Sequence, residues 1–379
     1  MNTCILHVGM PKTGTSSIQD SLYLGLADPR FRYIHLTGHA NAGQFLATLF
    51  GDDPSQYWVF QRKGFSAQHV QRLKVTYEHR LQRILRHVIA AKQTAILSAE
   101  ECWHFNQTEL ESLRDCLAKE DFNIKIIVYL RPFKAWIESA FQQNVKHSQG
   151  FTNLTALKEE FAQNRLNYVE RLKRYEQIFG RENLIVRPFI TKALINSCAV
   201  QDFCSLLDIN ATDLAIQRSN DAVCADAVRM LYCFNQFSRS SKPPSLRAND
   251  LLVMKLTELA GGPFRLHSDL LAPLRKHIDA QNHAIHQQYG LDLRENIYAS
   301  DSGDCIRQES DLLRFSRSSL NWLNRHSDGS PIAETEGIAT AHAVARKMAI
   351  LAKRPSTRVQ WNWLRRNMKF KLHGMVHEN

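Results

Sequence analysis

Short apolar runs alternate with longer amphipathic stretches through the first two hundred residues. Ile5, Leu6 and Val8 form a run that suits a buried strand, which Gly9 and Pro11 break. Ile18, Ser21, Leu22 and Leu24 to Leu26 then continue at helical spacing. FRYIHLTG (31–38) predicts a second strand, and residues 40–60 a short helix with a loop at Gly51, Asp52, Asp53 and Pro54. From Ser66 to Lys92, Val70, Leu73, Tyr77, Leu81, Ile84, Leu85 and Val88 form one apolar stripe, which predicts a long amphipathic helix. QTAILSAEE (93–101) predicts a strand that ends in two carboxylates. KIIVYLRPF (125–133) predicts another, followed by a helix over 133–146; NLIVRPF (183–189) predicts a further strand, and VQDFCSLLDI (200–209) a helix. From Ala211 to Gly290 the pattern is mainly helical.

Apolar strands separated by helices predict an α/β fold, a parallel sheet wrapped by helices with a mainly helical C-terminal region. Ligands in such sheets sit at the carboxyl ends of the strands, and the polar motifs fall at such ends. Polar stretches at 299–311 and 326–337 read as linkers, so residues 1–300 are expected to form the main domain. Residues 301–379 are expected to be a linker and a helical tail.

The first strand runs into Pro11-Lys12-Thr13-Gly14-Thr15-Ser16-Ser17 and then a helix. A glycine turn at a strand–helix junction gathers backbone N–H groups at the positive end of the helix, and the hydroxyls add donors. The bland reading is a turn that merely joins strand to helix; one Lys among four hydroxyls favours an anion cradle. A nucleoside triphosphate loop places its Lys after the second glycine. Here Lys12 precedes Gly14, and the order resembles the 5′-phosphosulfate loop of sulfotransferases that use 3′-phosphoadenosine 5′-phosphosulfate (PAPS).

Arg131 closes the KIIVYL strand, and Ser139 lies eight residues on, two turns into the next helix. Such a pair can converge on one phosphate, the guanidinium giving paired contacts. This resembles the 3′-phosphate site of the same family, and NLIVRPF with VQDFCSLLDI resembles its strand and "DFL..LGI" helix. The likeness spans roughly residues 1–300 and points to bacterial, carbohydrate-sulfotransferase-like members. It implies a P-loop-like sheet of about five strands, PAPS as co-substrate, 3′-phosphoadenosine 5′-phosphate (PAP) as product, no metal, and a carbohydrate or other hydroxyl acceptor. On that basis Lys12, Thr13, Gly14, Thr15, Ser16, Ser17, Arg131 and Ser139 are expected to bind the donor. The aromatic that cytosolic small-molecule members carry at the end of the loop is Ser17 here, and their R-K-G-x-x-G-D-W-K segment is missing. Both departures speak against the phenol and steroid branch and leave the adenine platform open between Trp103 and Trp136.

Sulfuryl transfer also needs a base. His39, after the second strand, titrates near neutrality and resembles a His of the bacterial group; Glu100 resembles that group's S-S-E motif, with Glu101 beside it. Catalytic work is therefore expected of Lys12 with His39 or Glu100. The plain alternatives are a hydrogen-bonded structural His and carboxylates that favour a helix start after Ser98.

A net charge of +11 and pI near 9.3 point to anionic partners without choosing among them. The tail concentrates seven Lys and Arg against one acid over 353–379, interleaved with Trp361, Trp363, Leu364, Met368 and Phe370. That mixture suits peripheral contact with an anionic membrane or glycan; the bland alternative is a terminal helix docked by its Trp residues. Nucleic acid is not an expected partner. Eight cysteines without C-x-x-C or zinc spacing, no signal peptide and no apolar run of about 18 residues lead to the expectation of a cytoplasmic protein, or one peripheral to the inner face of the membrane. Two rival functions remain, a P-loop nucleotide-dependent kinase and a non-enzymatic polyanion-binding protein. A kinase also needs a strand ending in a Walker-type Asp, which the sequence does not clearly offer, and a polyanion binder leaves the Lys12 loop and the Arg131–Ser139 pair without purpose.

Overall fold

The computed structural model describes residues 2–147, 152–162, 166–217, 223–238, 246–353, 359–361, 363, 364 and 368. Most of the basic, aromatic tail thus lies outside the described residues.

Five strands form one parallel sheet in the order β2-β3-β1-β4-β5. They are β1 (Asn2–Val8), β2 (Phe31–Tyr33), β3 (Thr94–Ala99), β4 (Phe122–Leu130) and β5 (Leu184–Pro188). Helices α1 (Thr15–Gly25), α2 (Gly43–Phe50), α3 (Trp58–Lys63), α4 (Ala67–Ala90), α5 (Gln107–Ala118), α6 (Phe133–His147), α7 (Leu154–Ala162), α8 (Tyr168–Phe179) and α9 (Ala199–Leu206) connect and cover them. A helical region follows, with α10 (Ala225–Phe237), α11 (Leu246–Leu256), α12 (Arg275–Tyr289), α13 (Arg317–His326) and α14 (Ile338–Lys353).

Side chains alternate across the sheet, as strand geometry requires. Cys4, Leu6 and Val8 of β1, Leu97 of β3 and Ile126 and Val128 of β4 enter the larger core. Ile5, Ile96, Ile127 and Tyr129 enter a smaller one under α1 and α9. Both faces are covered, which is why the strands read as nearly continuous apolar runs. Met348 and Leu351 of α14 and Val228 of α10 share the larger core with the sheet.

The second strand is shorter than the sequence suggests. Ile34 N–H still reaches Ile96 O at 2.9 Å, but Ser98 O, which the next rung would use, accepts from Ala42 N–H at 2.9 Å. The chain leaves the sheet there and turns at Gly38 (φ 67°). The long amphipathic helix is present as α4, capped by Ser66 Oγ accepting from His69 N–H, with Val70, Tyr77, Leu81, Leu85 and Val88 buried.

Strands β3, β1 and β4 are neighbours, and β1 lies where the chain order reverses. Their carboxyl ends lead into Glu100, the Lys12 loop and Arg131 respectively, so three segments distant in sequence meet at the switch point of the sheet.

Candidate functional site

The loop after β1 is held from several directions. Thr13 Oγ1 donates to Met10 O (2.6 Å), Trp136 Nε1 to Pro11 O (3.0 Å) and Arg131 Nη1 to Lys12 O (2.7 Å). Lys12 itself sits at φ 73°, a left-handed conformation that side chains other than glycine rarely adopt. Gly14 has φ 75°, and a Cβ there would crowd Phe189 at 3.0 Å and Ala199 at 3.1 Å, so the turn favours glycine. No side chain caps α1, and Ser17 N–H returns to Gly14 O at 3.0 Å to close its first turn.

The loop and the start of α1 border a cavity of about 730 Å³. Lys12, Gly14, Thr15, Ser16, Ser17, Glu100, Arg131 and Ser139 all line it. Thr13 does not, its hydroxyl being directed to Met10 O and beside Thr15 Oγ1. His39 is not in the lining either: it lies on the loop after β2, where partial burial and then the Lys63 ammonium lower its pKa. Glu101 turns the other way, accepting from Tyr57 O–H at 2.6 Å and packing against Gly43.

Neither tryptophan reaches the cavity. Trp103 is buried edge-on to Tyr168 with the Arg171 guanidinium over its ring, and Trp136 clamps the loop from behind. Two aromatics line the cavity: Phe264, stacked on Phe141, and Phe189, the first residue beyond β5, which packs over Gly14 and lies 5.6 Å from the Arg131 guanidinium. The position of Phe189 at a strand end is a signal legible in the sequence.

Two cations and two amides also escaped the sequence reading. Ser139, Gln142, Gln143 and Lys146 stand at i, i+3, i+4 and i+7 of α6 and so line the cavity as one stripe. That spacing is legible in the sequence. Gln143 Oε1 accepts from Lys12 Nζ at 3.3 Å. Arg265 arrives from the helical region, and no local pattern announces it.

The lining thus carries Lys12, Arg131, Lys146 and Arg265 against one carboxylate, Glu100. Burial pushes Glu100 up to about 7; the adjacent Glu101 charge adds to the rise and Lys12 opposes it. Burial likewise lowers the Lys12 pKa, against the pull of Glu100. Such a site can hold two anionic groups apart, one on the Lys12 loop and one between Arg131 and Ser139, with a proton acceptor beside the first.

Among the described residues, no group of three His, Cys, Asp or Glu side chains stands as a metal site, and no helix is long and apolar enough to cross a membrane. All eight cysteines are free thiols.

No family model matches the chain, and no curated protein matches it. Among solved structures, a sulfotransferase from Alicyclobacillus acidocaldarius is similar at 16% identity and a TM-score of 0.41, over 77% of this chain and 97% of that one. A likeness so distant does not extend to activity, and the functional reading rests on the site.

Proposed function

We propose that the protein is a sulfotransferase that moves the sulfuryl group of PAPS to a hydroxyl of a carbohydrate or related acceptor and releases PAP. The observation that carries this reading is the meeting of the Lys12 loop, the Arg131–Ser139 pair and Glu100 in one cavity at the switch point of the sheet. PAPS has phosphate groups at both ends of its ribose, and the two anion positions match that pattern.

In the proposed reaction the acceptor oxygen attacks sulfur in line with the 5′-phosphate oxygen. The new S–O bond forms as the old one breaks, and the loose transition state spreads charge over the leaving oxygens, as in phosphoryl transfer. Lys12 and the first amides of α1 stabilise the leaving phosphate; losing one such donor costs roughly 10²–10³ in rate. Glu100 takes the acceptor proton, and a pKa of about 7 suits a group that must be ionised before the step and protonated after it. His39 is the weaker candidate because it is outside the lining. Phe189 serves as the platform for the adenine ring.

Incubation with labelled PAPS and a panel of glycans, lipids and small alcohols tests the reading directly. Transfer of label to an acceptor supports it. Phosphate transfer from ATP that depends on Mg²⁺, with no sulfuryl transfer, would establish a kinase instead.

A further inference from the structure

Lys146 lines the cavity beyond the two anion positions assigned to the donor. It stands in the last turn of α6, on the stripe it shares with Ser139, Gln142 and Gln143, and is buried. The last carbonyls of a helix need partners from outside it. Here two other helices supply them: Asn235 Nδ2 of α10 donates to Val145 O at 2.7 Å, and Asn249 Nδ2 of α11 to Lys146 O at 2.6 Å. This clamp fixes where the Lys146 side chain leaves the helix.

The stripe sets an order along the helix axis. Ser139 stands at the Arg131 end, and Gln143, one turn on, accepts from Lys12 Nζ at 3.3 Å. Lys146 follows three residues later, about 4.5 Å further along the axis, so it lies beyond Lys12 as seen from Ser139. Gln142, on the turn before Lys146, gives one amide hydrogen to Glu138 O at 3.3 Å and keeps a second. Positive charge gathers at this end. Burial lowers the pKa of His147; the Lys146, Lys12 and Arg62 charges add to the fall and Asp250 opposes it. Arg62 comes from the last turn of α3. A donor that runs from the Arg131–Ser139 corner to the Lys12 loop points its sulfur towards this end of α6. In an in-line transfer the acceptor enters opposite the leaving oxygen, and there it meets Lys146.

We propose that the acceptor is itself anionic, and that Lys146, with the Gln142 amide beside it, holds a carboxylate or sulfate on the sugar that is attacked or on the next one. This rests on the sulfotransferase reading of the cavity and adds the charge of the acceptor to it. A step of one helical turn beyond Gln143 is the scale of a single sugar ring, which places the charge close to the reacting hydroxyl. Lys146 then selects among acceptors and takes no part in holding PAP.

The test uses three matched tetrasaccharides: one containing glucuronic acid, its carboxyl-reduced neutral counterpart, and that neutral form bearing one sulfate. Calorimetry measures their binding to the full-length, PAP-loaded wild type, Lys146→Gln and Lys146→Arg, and the affinity of each protein for PAP. The wild type is expected to prefer an anionic tetrasaccharide to the neutral one, and the preferred anion identifies the group as carboxylate or sulfate. Lys146→Gln is expected to reduce that preference about 10- to 100-fold. PAP affinity should stay within about threefold, since the lost charge makes no contact with PAP. Lys146→Arg keeps the charge and should retain most of the preference. Melting curves separate a binding loss from misfolding; if Lys146→Gln does not fold, Gln142→Ala should still reduce the preference about 3- to 10-fold. A preference unchanged in Lys146→Gln, or in Gln142→Ala where that variant stands in, would overturn the proposal. So would a PAP-loaded wild type that binds the neutral form as well as the anionic ones, or binds none of the three. Loss of PAP affinity as large as the loss of acceptor affinity would make Lys146 a donor ligand instead. A wild type that does not bind PAP at all would remove the sulfotransferase reading, and the proposal with it.

Discussion

Glu100→Gln separates the cost of burying this carboxylate from its proposed role as the base. Folding raises the Glu100 pKa from 4.5 to about 7, chiefly by burial and next by Glu101. Between those values the folded protein holds a proton that the unfolded chain releases, so stability falls as pH rises through the window. At 1.36 kcal/mol per pH unit, the gap between 4.5 and about 7 makes ionised Glu100 destabilising by about 3 kcal/mol above the window. Glutamine occupies the same volume and never ionises. The variant is therefore expected to be more stable than wild type by up to about 3 kcal/mol at pH 8. At pH 5 the folded wild type is almost fully protonated, and the advantage shrinks below about 1 kcal/mol. Urea denaturation at both pH values, with the m-value unchanged, measures the difference. Turnover should move the opposite way, falling roughly 10²–10⁴-fold, because the proposed base is gone. A His39→Ala protein assayed in parallel should keep most of its turnover. The reasoning fails if Glu100→Gln gives no gain in stability at pH 8, or an equal gain at both pH values. The assignment of the base fails if Glu100→Gln turns over normally while His39→Ala does not.

Three further outcomes follow from the same geometry. Lys12→Ala should remain folded, since the ammonium lines a cavity, yet lose transfer activity by at least about 10²-fold in a single-turnover assay; near-normal turnover would exclude the loop as the donor site. Glu101→Gln removes a charge that helps raise the Glu100 pKa, so the rising limb of the pH profile of kcat/KM, near pH 7 in the wild type, should move to lower pH; a limb that stays in place would mean another group titrates. Phe189→Ala should weaken PAP binding by about 1–3 kcal/mol while binding of pyrophosphate changes little, and equal losses for both ligands would show that the ring only supports Gly14 and Arg131.

Much of this was legible in the linear pattern, because it depends on local physics. Runs such as KIIVYL and the stripe from Val70 to Val88 fix backbone periodicity within a few residues, and the sheet strands and α4 follow it. The turn at Pro11–Ser17 declared a glycine junction with one cation, and Arg131 with Ser139 could be placed on one strand–helix unit without knowing any neighbour.

What only the tertiary structure decided concerns segments that meet by packing. The order β2-β3-β1-β4-β5 sets β3 and β4 on either side of β1 and so brings Glu100 and Arg131 to the Lys12 loop. Neighbouring residues part company for the same reason: Glu100 enters the cavity, while Glu101 is taken by Tyr57 and Gly43. Phe189 rather than a tryptophan lies in the lining, and Arg265 enters from beyond α11. The pKa of Glu100 belongs to this level as well. A sequence specifies that a carboxyl is present, but desolvation and the proximity of Lys12 exist only once distant strands have closed around it.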